Sequence, residues 1–131
     1  MKPEELIKIA IKSMSRAYAP YSGYKVGAAL LCTDGTVFTG CNIENGAFSP
    51  SICAERTAFA KAVSEGYRDF TAIAVCGGKD GIISSLFPPC GVCRQVMREF
   101  CKDDFLIYMI GADGHYETRT LKELLPDSFS L

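Results

Sequence analysis

Two short runs concentrate the residues able to do chemistry: Cys53-Ala54-Glu55, and Pro89-Cys90-Gly91-Val92-Cys93. Each stands where a helix is expected to begin. Unpaired N–H groups and the positive end of the helix dipole stabilise a thiolate there, lowering the thiol pKa and favouring metal ligation. Cys90 and Cys93, two residues apart, can turn both sulfurs toward one point, and Cys53 can enter from the neighbouring helix. Zinc held by three protein ligands keeps its fourth position for water, whose pKa falls to about 7, whereas a structural zinc site is normally closed by four. Three thiols therefore predict hydrolytic chemistry with one Zn2+ per subunit. Glu55 follows its cysteine by two residues, so its carboxylate can lie beside the open position without binding the metal. It is placed to move protons, a role typically worth about 10²–10⁴ in rate. Arg56 comes next, where its guanidinium can donate to sulfur and offset the negative charge that three thiolates and a hydroxide carry over one dication.

Each piece also has a plainer reading. Cys90-Gly91-Val92-Cys93 alone has the spacing of a redox dithiol, but such a pair needs no third cysteine opening another helix. A closed structural site would have to recruit Cys41, Cys101 or His115, against the three-ligand pattern. His115, the one histidine, falls in a turn and reads as solvated. Arg56 and Arg94 could be helix-surface charges, since exposed ion pairs contribute little. Cys32, Cys41 and Cys76 lie in apolar or β-branched surroundings, where a free thiol is usually a small buried hydrophobe.

The elements that must position these groups follow from pattern and punctuation. Leu6, Ala10, Met14 and Ala17 form a stripe at helical spacing, predicting a first helix from Pro3 to about Ala17 with Pro3 in its first turn. Ala19-Pro20-Tyr21-Ser22-Gly23 breaks it. Val26 to Cys32 reads as an apolar strand, Thr33-Asp34-Gly35 as a hairpin turn, and Thr36 to Ile43 as the antiparallel partner. A second helix is expected from Cys53 to Glu65, closed by Gly66, and a buried strand from Phe70 to Cys76. Gly77 to Pro89, rich in glycine and proline, reads as a long loop of the kind that edges an active site. It leads to a third helix over Gly91 to Cys101 and a strand over Phe105 to Ile110. The short turn Ala112-Asp113-Gly114-His115 demands antiparallel pairing with Tyr116 to Thr120, and a helical turn over Leu121 to Leu125 comes last. This order, αββαβαββα, predicts an α/β fold, a three-layer α/β/α sandwich around a five-stranded mixed sheet, in one domain spanning residues 1–131.

Composition narrows the partners. With 131 residues and 48% hydrophobic content, the chain is the right size for a single core. Fourteen basic against fifteen acidic residues, spread along the chain, give no footprint for a nucleic acid and suit a small, weakly charged substrate. The longest apolar run, Val26 to Cys32, is far short of the roughly 20 residues of a membrane span. Met1-Lys2-Pro3-Glu4-Glu5-Leu6 sets acidic residues where a signal peptide would carry its apolar stretch. Seven cysteines, an odd number, without an export signal predict reduced thiols and a cytoplasmic location.

With these residues assembled, the chain resembles the small homotetrameric cytidine deaminases over nearly its full length. Cys-Ala-Glu followed by Pro-Cys-x-x-Cys marks the zinc deaminases as a whole. The further matching stretches are Tyr21–Leu31, Gly40–Asn45, Cys53–Thr57, Lys61–Gly66, Pro89–Gln95 and Glu123–Pro126. The resemblance implies a cytidine deaminase-like fold, zinc-dependent deamination of free cytidine and deoxycytidine in pyrimidine salvage, and a homotetramer. It also implies that Asn42 and Glu44 hold the ribose 3′-hydroxyl, a group that both donates and accepts. By the same resemblance, Tyr24 packs near the sugar, Ala54 offers its backbone N–H to the pyrimidine O2, and Phe129 of a neighbouring subunit covers the base. Tyr24 stands where a phenylalanine is expected, and Phe48 where the family commonly has a tyrosine that helps hold the 5′-hydroxyl. Deaminases of related compounds such as blasticidin S share the metal motif but would not need Asn42 and Glu44. A nucleic-acid editor would need a basic groove with stacking aromatics, and a non-catalytic zinc module would need neither Glu55 nor an open position.

Overall fold

Alternation along the strands decides how the layers form, because successive side chains point to opposite faces of a sheet. In the computed structural model, which describes residues 1–131, the elements are α1 (Pro3–Met14), β1 (Tyr24–Cys32), β2 (Val37–Cys41), α2 (Ala54–Ser64), β3 (Phe70–Lys79), α3 (Gly91–Phe100), β4 (Leu106–Ile110), β5 (Tyr116–Thr120) and α4 (Leu121–Leu124). The strands form one sheet in the order β2-β1-β3-β4-β5. β3 and β4 run parallel and every other neighbouring pair antiparallel. The parallel pair needs a crossover, which α3 supplies.

One face of the sheet sends Ala29, Ala72, Ala74 and Cys76 into a core with Leu6, Ile7, Ala10 and Met14 of α1. The other sends Ala28, Leu30, Ile73 and Val75 against Ala58 and Phe59 of α2 and Met97 of α3. The α/β/α sandwich with a five-stranded mixed sheet is therefore as expected. No helix is long and apolar enough to cross a membrane.

Boundaries differ from expectation where hydrogen bonds outside the ladders intervene. α1 stops at Met14, not Ala17, because Arg16 and Ala17 donate to the carbonyls three residues back and Tyr18 then donates to Asn42 O at 3.0 Å. β2 ends at Cys41, since Asn42 turns its side chain onto β1. β3 runs on through Gly77 and Gly78 to Lys79, where a loop was expected, because Tyr24 and Lys25 extend β1 and, with Val26, supply the partners. α3 stops at Phe100 and β4 starts at Leu106, each a residue inside its expected bound.

The seat of α2 depends on a single small residue. A Cβ on Gly40 of β2 would lie 2.2 Å from the carbonyl oxygen of Ala54. Only glycine lets the first turn of α2 lie flush on the sheet, and that turn carries Cys53 and Glu55.

Candidate active site

Cys53 occupies the N-cap of α2 and Cys90 that of α3, with Cys93 in the first turn behind it. Both caps have extended backbone, so each chain enters its helix with the cysteine at the open end. The Cys93 amide donates to Cys90 Sγ at 3.4 Å, which ties the pair together. The sulfurs of Cys53 and Cys90 are 3.7 Å apart and those of Cys90 and Cys93 3.4 Å, and all three lie within 4.8 Å of one another. Tetrahedral zinc with Zn–S bonds of about 2.3 Å needs sulfurs roughly 3.8 Å apart. The donors are soft, the spacing fits, and no other His, Cys, Asp or Glu joins the cluster.

The charges around the sulfurs are those a dication would balance. Cys53 is pushed down to about 5, first by a hydrogen bond from the Cys93 thiol, with help from Arg56 and Cys90. Cys93, as the donor in that bond and buried, is pushed up. One thiol ionises readily and thereby holds its neighbour's proton, so full ionisation of all three calls for a cation. Arg56 Nη2 donates to Cys53 Sγ at 3.7 Å, while its Nε is buried without a partner. That places the Arg56 guanidinium against the sulfur. Arg94 instead donates to the carbonyls of Pro89 at 2.8 Å and Leu124 at 2.7 Å, bracing the approach to α3.

Glu55 is 2% exposed, and burial pushes its carboxyl up to about 7. A carboxyl in that range exchanges protons readily near neutral pH. It faces a cavity of about 520 Å³, a size suited to a small ligand. Cys53, Cys90 and Glu55 line the floor, and Asn42, Glu44 and Phe48 the rim.

The two parts meet through one backbone bridge. Ile43 and Ile52 exchange both N–H···O bonds at 3.0 Å, so Asn42 and Glu44 on one side are held beside Cys53 on the other. Asn42 Oδ1 accepts from the Val26 amide at 2.9 Å, and Nδ2 donates to the Tyr24 carbonyl at 2.8 Å. One lone pair and one N–H of the amide remain for a ligand. The Glu44 carboxylate accepts from the amides of Tyr21 at 2.9 Å and Ser22 at 3.1 Å and from the Ser22 hydroxyl. The Ser22 hydroxyl foremost holds the Glu44 carboxyl below its usual range.

Three of the expected residues lie off the cavity wall. Tyr24 is exposed with Lys79 Nζ 5.8 Å above its ring. Ala54 is buried, and its amide, opening α2, donates to nothing in the chain. Phe129 is 68% exposed, and its carbonyl accepts from Gln95 Nε2 of α3 at 3.4 Å. Conversely Val26, Ile52, Phe87 and Pro88 line the cavity although no sequence signal assigned them a role. Ile52 and Pro88 adjoin the metal-ligand runs in sequence, the one hint of their place. The plainer reading holds for Cys32 and Cys76, both buried, while Cys41 is only half-buried.

Known proteins share this arrangement of chain and fold. Residues 1–109 match the model of the cytidine and deoxycytidylate deaminase zinc-binding region. The chain is 50% identical over 130 residues to a cytidine deaminase of Sporosarcina psychrophila, covering 99% of this chain and 93% of that one. It is 48% identical to that of Halalkalibacterium halodurans, covering 99% and 96%. Among solved structures, the cytidine deaminase from Burkholderia pseudomallei superposes with a TM-score of 0.91 at 44% identity, covering 98% of this chain and all of that one. The Mycobacterium tuberculosis enzyme does so with a TM-score of 0.84 at 37% identity, covering 100% and 99%.

Proposed function

We propose, since the chain belongs to the zinc-binding cytidine and deoxycytidylate deaminase family, that it hydrolyses free cytidine and deoxycytidine to uridine and deoxyuridine with release of ammonia, a step of pyrimidine salvage. The observation that carries this reading is the buried Glu55 beside three convergent sulfurs, at the floor of a cavity whose rim bears Asn42 and Glu44.

Cys53, Cys90 and Cys93 would hold one Zn2+ per subunit, which when bound would supply a Lewis acid and lower the pKa of water toward neutrality. Glu55 takes a proton from the attacking water and delivers it to N3 of the base, which makes C4 more electrophilic. It then carries the second proton to the exocyclic amine as the C4–N bond breaks, and ammonia leaves. Water and cytidine are thus converted to uridine and ammonia, with Glu55 restored. Arg56, donating to Cys53, draws off part of the thiolates' excess charge. The unpartnered Ala54 amide takes the pyrimidine O2, while Asn42 and Glu44 take the 3′-hydroxyl.

Tyr24 packs near the sugar, and Phe48 closes the rim without a hydroxyl to offer. Phe129, which stands outside its own subunit's cavity, covers the base in a neighbour of the homotetramer. A cytoplasmic location suits a site that needs reduced thiols. No nucleic acid or membrane is involved, as near-neutral charge supports.

An absorbance assay of the purified protein tests this with cytidine, deoxycytidine, cytosine and cytidine monophosphate, before and after a zinc chelator. Both nucleosides should turn over well and the other two poorly, with activity lost on chelation and restored by zinc. Cytosine used as well as cytidine would remove the ribose role of Asn42 and Glu44. No ammonia from any of them would remove the enzymatic reading.

A further inference from the structure

The segment between α1 and β1 folds around a single carboxylate. Glu44 Oε1 accepts from the amides of Tyr21 and Ser22, and Oε2 from the Ser22 hydroxyl. The same hydroxyl oxygen accepts from the Tyr24 amide at 3.0 Å, and the Ser22 carbonyl accepts from Lys79 Nζ at 2.6 Å. Asp80 N donates to the Gly23 carbonyl at 2.7 Å, clasping the loop from the far end of β3. Gly23 has φ +73°, and a Cβ there would lie 2.8 Å from Lys79 Nζ. Ser22 is therefore the hub: its amide and hydroxyl both donate to Glu44, and its hydroxyl and carbonyl oxygens accept from the Tyr24 amide and Lys79.

A carboxylate offers about four lone-pair directions. Three are taken, so the fourth is left to the cavity that Glu44 lines. Its two backbone donors both meet Oε1, so the Ser22 hydroxyl is the one bond in the chain made directly to Oε2, and it fixes the carboxylate plane from the second side. We infer that Ser22 is a positioning residue for substrate selection: its hydroxyl holds Glu44 in the orientation that leaves one acceptor direction for a sugar 3′-hydroxyl. This rests on the reading of Glu44 as a ribose-hydroxyl acceptor.

The test uses the full-length zinc-loaded enzyme and two substrates that differ only at that position, 2′-deoxycytidine and 2′,3′-dideoxycytidine. The readout is the ratio of kcat/KM for the first to that for the second, a quantity that general loosening of the fold would not move. Ser22→Ala should lower the ratio about tenfold, as loss of a hydrogen bond to a charged group implies, chiefly through KM on deoxycytidine. Ser22→Thr, which keeps the hydroxyl, should restore most of it. Glu44→Ala run alongside should lower the ratio at least as far. If Glu44→Ala lowers the ratio and Ser22→Ala leaves it unmoved, the Ser22 inference is overturned and the role of Glu44 stands. If Glu44→Ala does not lower it, the ribose reading falls and takes this inference with it.

Discussion

At the floor of the cavity Glu55 is 2% exposed, and behind it Cys93 is 1% exposed; both are carried on the opening turns of two helices pressed against the sheet, and Cys90 beside them is the one exposed cysteine of the three. At the rim, Glu44 and Asn42 are held by hydrogen bonds to backbone that is itself largely exposed. The floor is thus fixed by core packing and the rim by local clasps. Core packing has no graded response to loss of a group, because a buried site cannot substitute solvent for what is removed. A clasp at the surface can be replaced in part by water. Changes at the floor should therefore be close to all-or-none, and changes at the rim graded and dependent on the substrate.

The largest effect is expected from Cys93→Ala, which removes the buried sulfur. Zinc content should fall well below one per chain, and turnover by far more than the ~100-fold typical of losing a group one step further from a metal. Elemental analysis and an ammonia assay on the same sample check both. Glu55→Ala separates metal from proton transfer: zinc should be retained while kcat drops by about 10²–10⁴. A zinc-bound Glu55→Ala enzyme that stayed active would erase the distinction between the two ends of the cavity. At the rim, Asn42→Ala should lower kcat/KM for cytidine by about 10- to 100-fold, the range for one or two lost hydrogen bonds, and harm free cytosine much less. Equal losses on both would mean the rim acts only through folding. Smallest of all, Tyr24→Phe removes a hydroxyl from an exposed ring and should change kcat/KM by no more than about twofold. The backbone of residue 24, held by Asn42 and Ser22, is what the rim uses.

The same contrast explains what could be read from the sequence. Cys53, Glu55, Cys90 and Cys93 were legible because helix starts announce themselves through local signals, here Ser49-Pro50-Ser51 ahead of one helix and Pro88-Pro89 ahead of the next. The apolar run of β1 with the hairpin turn after it, and the short turn before β5, pointed to the mixed sheet. The extension of β3 through Gly77 and Gly78 was not legible, because those residues signal a turn and only the longer partner strand makes them a ladder. Nor was the hub role of Ser22, which depends on residues 22, 44 and 79 meeting across three segments. Resemblance pointed to Asn42 and Glu44, but only the bridge of Ile43 with Ile52 explains how they come to lie beside Cys53.

The proposed function would require Cys53, Cys90 and Cys93 to hold a zinc ion that keeps room for water next to Glu55. X-ray absorption at the zinc edge of the purified, metal-loaded protein tests it most directly. Three sulfur neighbours at about 2.3 Å and one lighter neighbour at about 2.0 Å are expected. Four sulfurs around the metal, or a purified protein that retains no zinc, would contradict it.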